Sequence, residues 1–254
     1  MKKVIIIPAR LDSSRLPRKT LLDIDGKSMI RRVYEQCLAV DVVDGVYIAT
    51  DSSEIEEHCR EFTDSVVMTS SMHESGTDRV AEAARDIECD YIINVQGDEP
   101  FIEPSLIGSV ASVLSSECQM SSAMRRITTT EELKDPNVVK VVTDAKGKAL
   151  YFSRSIIPHH RDDWHSLINH HDRVPKGLLF YQHIGVYGYS KEFLLEYAQM
   201  ECSYLERVER LEQLRVLEAG LSIQMVETEH ESIGVDTLED YHRAIEIAKG
   251  VDSE

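Results

Sequence analysis

Short β-branched runs alternating with amphipathic segments constrain this chain more than any other feature. Residues 4–7 are continuously apolar and meet Pro8 at once. A run of that kind reads as a strand buried on both faces of a mostly parallel sheet. Residues 46–50, 66–68 and 91–95 repeat the pattern. Between them, residues 26–40 place Met29, Ile30, Val33 and Cys37 on one side of a helix. Ser52 or Ser53 caps a helix running to Phe62, Thr77 opens another running to Asp86, and residues 104–116 are helical. This alternation predicts a doubly wound α/β sheet. Ligands in such a sheet bind beyond the C-terminal ends of the strands.

The pattern then changes. Residues 120–126, 138–143 and 149–153 read as strands, the last two joined by the turn Asp144-Ala145-Lys146-Gly147. Residues 154–182 are polar and histidine-rich and read as a long loop. Residues 184–189 and 223–227 are strands. Residues 191–199, 204–219 and 237–249 are helices, the second opening at a Ser203/Glu206 capping box and stopping at Gly220. The whole, residues 1–254, reads as one domain with a smaller β-rich subdomain over roughly 119–190.

A net charge of −17 argues against nucleic acid and anionic membrane as partners. No stretch approaches the ~18 apolar residues of a membrane span. The apolar run after Met1-Lys2-Lys3 is shorter than the ~7–15 residues of a signal h-region, which points to a cytoplasmic protein. The five cysteines, Cys37, Cys59, Cys89, Cys118 and Cys202, form no CxxC pair. Reduced, mostly buried thiols are expected rather than a disulfide framework or zinc site.

On so acidic a chain, a cluster of cations stands out. Arg10, Arg15, Arg18 and Lys19 follow the first strand, within Pro8-Ala9-Arg10-Leu11-Asp12-Ser13-Ser14-Arg15-Leu16-Pro17-Arg18-Lys19. Guanidinium and ammonium groups there suit phosphate; a solvated basic loop is the competing reading. GxGxxG and GxxxxGK[ST] are both absent, which disfavours a dinucleotide fold or a Walker loop. Asp98, in Asn94-Val95-Gln96-Gly97-Asp98-Glu99-Pro100, follows a buried strand across a glycine turn. It is either a magnesium ligand or a turn-capping carboxylate. Asp236 is either a second metal carboxylate or a helix-entry residue. In residues 70–79, which contain Ser75-Gly76-Thr77-Asp78-Arg79, the glycine lets backbone approach a ligand at a helix N-terminus, with Thr77 as a plain N-cap the alternative. Glu212 and Gln213 lie on the capped helix, whose Leu205, Val208, Leu211 and Leu214 form its core face. The histidines His159, His160, His165, His170 and His171 match no closed zinc pattern.

Taken in order, IIIPAR, SSRLP, ATD, VVMTS, SGTDR, NVQGDEP, PNVVKVV, KALYFSR, HIGVYGY, LEQLR and VDT resemble one family over almost the whole chain: the 3-deoxy-manno-octulosonate cytidylyltransferases, or CMP-Kdo synthetases. The resemblance implies a Rossmann-like doubly wound mixed sheet of the nucleotide-diphospho-sugar transferase type. A smaller subdomain would serve dimerisation and sugar binding, and the enzyme would be a homodimer. It implies Mg²⁺-dependent joining of CTP to the sugar acid Kdo, releasing pyrophosphate and CMP-Kdo for lipopolysaccharide synthesis. Residue by residue, it implies that Pro8, Ala9, Arg10, Arg15, Lys19, Ser75, Gly76 and Arg79 bind the nucleotide. Gln96, Arg154, His183, Tyr187, Glu212 and Gln213 would contact the sugar acid. Asp98 and Asp236 would hold the metal and, with Arg10 and Lys19, carry catalysis. One position departs: Arg18 stands where the family loop has glycine; a positive φ there would strain it, and a negative φ would let it add another phosphate contact. Residues 159–176 align poorly. Three rivals stand beside this reading. They are the same chemistry on an 8-amino Kdo analogue or a nonulosonic acid, a glycosyltransferase (which would normally carry Asp-x-Asp where this chain has Gly97-Asp98-Glu99), and a non-catalytic nucleotide-binding module.

Overall fold

The computed structural model describes residues 1–11, 16–73, 75–162, 164–170, 172–231 and 233–250. The chain begins with β1 (Lys3–Ala9), a 3-10 turn (Lys19–Leu21), the short pair β2 (Asp23–Ile24) and β3 (Lys27–Ser28), and α1 (Met29–Leu38). Then come β4 (Gly45–Thr50), α2 (Ser53–Cys59), β5 (Val66–Met68), α3 (Gly76–Asp86), β6 (Tyr91–Asn94) and α4 (Pro104–Ser112). The second half holds β7 (Met120–Arg126), α5 (Thr130–Lys134), β8 (Lys140–Thr143), β9 (Ala149–Ser153), α6 (Trp164–His170) and β10 (Tyr181–Ser190). It closes with α7 (Lys191–Tyr197), α8 (Tyr204–Glu209), α9 (Leu214–Glu218), β11 (Gln224–Thr228) and α10 (Leu238–Ala248).

The main sheet runs β11-β7-β10-β6-β1-β4-β5. β1 lies between β4 and β6, parallel to both, and β5 continues in parallel beyond β4. β10 is antiparallel to its neighbours β6 and β7, and β11 is parallel to β7. The result is the expected Rossmann-like mixed sheet, with β10 as a reversed seam between two sets of parallel strands. The stretch 119–190 supplies β7 and β10 to this same sheet, while β8 pairs with β10 and with the outermost β9.

The continuous apolar run explains why β1 is central. Val4, Ile5, Ile6 and Ile7 are all fully buried. Successive side chains of a strand point to opposite faces. Val4 and Ile6 thus pack with Val80 and Ala84 of α3, and Ile5 and Ile7 with Ile30 and Val33 of α1 and Val110 of α4. Burial of each such side chain stabilises the fold by about 1.5–3 kcal/mol.

Several elements differ from their sequence expectation. The helix expected over 26–40 starts only at Met29, because Asp25 and Gly26 turn the β2–β3 pair at positive φ and Ser28 caps α1 through the Arg31 N–H. The α2 cap is Ser52, and that helix ends at Cys59. Ser75, not Thr77, caps α3, accepting from the Asp78 N–H. The loop expected over 154–182 contains α6, and its end already belongs to β10. The single helix expected over 204–219 is two: Arg210 adopts φ 56° and breaks it after Glu209. The expected core face breaks with it, since Leu211 and Leu214 are buried but Val208 is exposed. All five thiols are free, as expected, yet only Cys37 and Cys59 are buried.

Candidate active site

The loops beyond the strand ends converge on one cleft. Pro8, Ala9 and Arg10 come from the end of β1, Lys19 and Thr20 from the 3-10 turn, and Gln96, Gly97 and Asp98 from the loop after β6. Together with His73, Ser75, Gly76, Arg79 and Glu212 they line a cavity of about 280 Å³. Two glycines permit the approach. A Cβ on Gly97 would sit 2.9 Å from the Pro8 carbonyl oxygen, and one on Gly76 would sit 3.3 Å from the Pro8 ring. Real Cβ atoms do not come within 3.0 Å of backbone, so only glycine lets the β6 loop lie against the end of β1.

That approach places Asp98 beside Lys19. The Lys19 ammonium donates to Asp98 Oδ2 at 2.6 Å and to Asp236 Oδ1 at 2.9 Å. Asp236 arrives from the far end of the chain because the Val235 N–H donates to the Asp98 carbonyl oxygen at 2.9 Å. Burial opposes the charge on Lys19, but the Asp98 and Asp236 carboxylates outweigh it and hold its pKa above the ordinary lysine value. The two carboxylates remain partly open to solvent, so phosphate oxygens can reach them. Two hard carboxylates completed by phosphate oxygens and water suit Mg²⁺, and these residues fit that ion. Among the described residues, no group of three or more His, Cys, Asp or Glu side chains could hold a metal.

On the other side of the cleft, Arg79 is buried and donates to Asp51 Oδ2 at 3.0 Å and Thr69 Oγ1 at 2.6 Å. Its charge is met by protein groups, so it shapes the wall. The His73 ring is hydrogen-bonded to Glu82, which also accepts from the Ser70 N–H at 3.0 Å. These bonds, the Ser70 N–H first, hold the Glu82 carboxyl below the usual carboxylate range.

A second cavity, of about 330 Å³, adjoins the first and shares Gly76, Gln96 and Glu212 with it. His183, Gly185 and Tyr187 of β10 line it, as do Arg210, Leu211 and Gln213 from the break between α8 and α9. Glu212 sits at the junction. Its Oε2 accepts from Thr77 Oγ1 at 2.8 Å, and burial pushes its pKa above the ordinary value. Gln96 is fixed by donating Nε2 to Asn94 Oδ1 at 3.1 Å. The break in the helix matters here, because it puts Glu212 and Gln213 in a connection that turns them into the cleft rather than on a helix face.

Most of the sequence-expected residues therefore meet around two contiguous cavities. Arg154 does not line them. Its guanidinium donates to the carbonyl oxygens of Pro136, Glu209 and Arg210, so it braces the turn that carries Arg210. Arg15 and His171 lie outside the described residues. Of the other loop histidines, His159 packs on Trp164 and His160 on Phe180. Arg18 adopts φ 57° and pairs with Glu54 of α2, outside the cavity lining. Sequence reasoning missed Thr20, His73, Asn94, Arg210 and Thr77 as the Glu212 donor. His73, Asn94 and Thr77 fall inside motifs that the sequence singles out; the left-handed turn at Arg210 has no sequence signal.

A Rossmann-like sheet whose strand ends gather arginine, lysine and paired carboxylates around one cleft defines a nucleotidyltransferase. Comparison with known proteins agrees. The cytidylyltransferase family pattern matches residues 4–226. A 3-deoxy-manno-octulosonate cytidylyltransferase of Geotalea uraniireducens is 48% identical over 251 residues, covering 98% of this chain and 100% of its own. One of Flavobacterium johnsoniae is 42% identical, covering 96% and 97%. The solved structure of a CMP:2-keto-3-deoxy-manno-octonic acid synthetase complexed with CTP is 37% identical, with a TM-score of 0.90 over 98% of this chain and 99% of its own. A nucleotidyl transferase from Methanothermobacter thermautotroptrophicus, at 15% identity and a TM-score of 0.63 over 99% of both chains, shares the fold. The chain belongs to the cytidylyltransferase family, in its 3-deoxy-manno-octulosonate branch. No helix among the described residues is long and apolar enough to cross a membrane.

Proposed function

We propose that this chain transfers CMP from CTP to the anomeric hydroxyl of 3-deoxy-manno-octulosonate, giving CMP-Kdo and pyrophosphate. One observation carries the reading: Lys19, Asp98 and Asp236 converge beside Arg10 at the parallel strand ends, next to a second cavity of about 330 Å³. The sugar hydroxyl attacks the α-phosphorus in line, and the bond to the β-phosphate bridging oxygen breaks. Such transfer depends on positioning and charge neutralisation more than on covalent chemistry. Arg10 and Lys19, with Arg15, take up the charge of the departing pyrophosphate. Ser75 and Gly76 offer the start of α3 to the nucleotide, and Arg79 shapes the pocket wall.

Asp98 and Asp236 would hold Mg²⁺. Bound there, the ion supplies neutralisation of phosphate charge and a lowered pKa for a coordinated hydroxyl. Lys19, already bonded to both carboxylates, keeps them convergent. Gln96, His183, Tyr187, Glu212 and Gln213 surround the acid, and Arg154 acts on it through the turn that it braces. The chain works as a cytoplasmic homodimer that feeds lipopolysaccharide synthesis. Exposed Leu150 of β9 and Tyr204 and Val208 of α8 support a dimer surface, since Ser153 and Glu209 tie these two elements together at 2.7 Å.

The test incubates the protein with CTP, Kdo and Mg²⁺ and detects product by mass, then measures pyrophosphate release across a panel of sugar acids. CMP-Kdo as the preferred product supports the reading. Preference for an 8-amino analogue or a nonulosonic acid would overturn the acceptor, and no product with any acid would overturn the activity.

A further inference from the structure

β10 carries an irregularity at the acceptor cavity. Ile184 pairs with Ala123 of β7, but the next β7 residue, Ser122, pairs with Tyr187, so Gly185 and Val186 bulge out of the ladder. Ser122 is fully buried opposite this bulge. Its hydroxyl lies 2.9 Å from the Val186 carbonyl oxygen, 3.3 Å from the Ile184 carbonyl oxygen and 2.9 Å from His183 Nε2. His183 Nδ1 lies 3.3 Å from Gln213 Nε2, and Gln213 Oε1 lies 3.3 Å from the Tyr187 hydroxyl. These contacts form a chain from a β-bulge to the cavity wall.

Counting protons gives the chain a direction. The two bulge carbonyls can only accept, and Ser122 has one proton to donate. That proton goes to a carbonyl, because otherwise the serine lone pairs would face two carbonyl oxygens at hydrogen-bonding distance. Ser122 Oγ must then accept from His183, which places the imidazole proton on Nε2. Burial holds His183 neutral, with its pKa lowered to about 3, so Nδ1 is a bare acceptor. Gln213 donates to it, which turns the Gln213 oxygen toward Tyr187. Tyr187 stays protonated, burial having raised its pKa, and its single proton goes to Gln213.

We infer that Ser122 is a positioning residue: it sets the direction of this buried relay and thereby presents Tyr187 to the sugar acid as a hydrogen-bond acceptor only. Tyr187 then selects a hydroxyl of the acceptor and turns away its carboxylate, which has no proton to give. The inference rests on the proposed acceptor reading for the use of Tyr187, but the relay itself does not depend on a substrate.

The experiment uses the full chain labelled with ¹⁵N-histidine, with His183 assigned by the loss of its signals in His183→Asn. Long-range ¹H–¹⁵N spectra near neutral pH are expected to show His183 as the Nε2–H tautomer, and the Nδ1–H tautomer would overturn the relay. Ser122→Ala should raise KM for Kdo about tenfold, the size of one lost hydrogen bond, and leave KM for CTP unchanged. Ser122→Thr, which restores the hydroxyl, should recover it. Tyr187→Phe should act similarly, and the double variant Ser122→Ala/Tyr187→Phe should be no worse than the worse single one. Additive losses would overturn the coupling. The wild-type tautomer needs neither a variant that folds nor a substrate that reacts. Absence of turnover with Kdo would therefore sink the acceptor assignment while the spectra still decide the relay.

Discussion

Arg18 bears two opposing demands. Its left-handed backbone costs a non-glycine residue about 1–2 kcal/mol. Its ion pair with Glu54 is exposed on both sides, and such pairs return about 0–1 kcal/mol. The position is therefore better suited to glycine. We expect Arg18→Gly to be more stable than Arg18→Ala by about 1 kcal/mol, because both lose the pair and only glycine relieves the strain. Urea unfolding of the two variants checks this, and equal midpoints would contradict it. Asp98 meets a different test. Asp98→Asn keeps the shape and removes a charge from the Lys19 cluster. It should leave the fold intact and lower kcat by about 10²-fold or more. Circular dichroism with steady-state kinetics at saturating Mg²⁺ decides it, and near-normal turnover would remove Asp98 from the metal site.

Among the elements, α3 links the proposed nucleotide site to helix capping. Ser75 accepts from the Asp78 N–H at 3.1 Å and also lines the first cavity. Ser75→Ala should cost about 1 kcal/mol of stability and raise KM for CTP, with KM for the sugar acid unchanged. Loss of the acid's KM instead would place the nucleotide elsewhere. The strands of the sheet were legible because an apolar run such as residues 4–7 leaves its side chains no alternative to burial on both faces. Capped helix ends were legible for the same kind of reason: Ser203 with Glu206, and Thr237 with Asp240, close capping boxes that three-residue spacing reveals. The break at Arg210 was not. Residues 204–219 keep helical periodicity, and arginine carries no local signal for positive φ. Tertiary contacts, including the Arg154 bonds to the carbonyls of Glu209 and Arg210, brace the turn. Thr77 is ambiguous for a related reason, since a capping hydroxyl and one that donates to a carboxylate across the cleft look alike in sequence. The nearest site residues were thus readable as motifs, while their partners across the cleft, Ser122 above all, depended on strand register.

For the whole molecule, proton linkage ties stability to the second cavity, which His183 lines. His183 is buried and neutral, with a folded pKa of about 3 against an ordinary value of about 6.5. The unfolded chain binds a proton below the ordinary value that the folded chain refuses. Stability is therefore complete above about pH 6.5 and falls as the pH drops toward about 3, with a slope of at most ~1.4 kcal/mol per pH unit from this group. The carboxyls of Glu132 and Glu206, held low against burial by Arg125 and Arg215, add losses of the same sign at lower pH. Measured by urea at pH 7 and pH 5, the wild type should lose more stability than His183→Gln. Equal losses would show that the imidazole can charge in place.

The reversed strand β10 has a consequence for how such an enzyme can change. The cavity proposed for the triphosphate is built on β1, β6 and the start of α3. The cavity proposed for the acceptor is built on β10 and the connection after α8. The two halves share few side chains, with Glu212 and Gln96 at their boundary. New acceptor preferences can therefore arise by redrafting one panel of the molecule while the other keeps its nucleotide. The seam in the sheet is a joint along which the enzyme can be retooled.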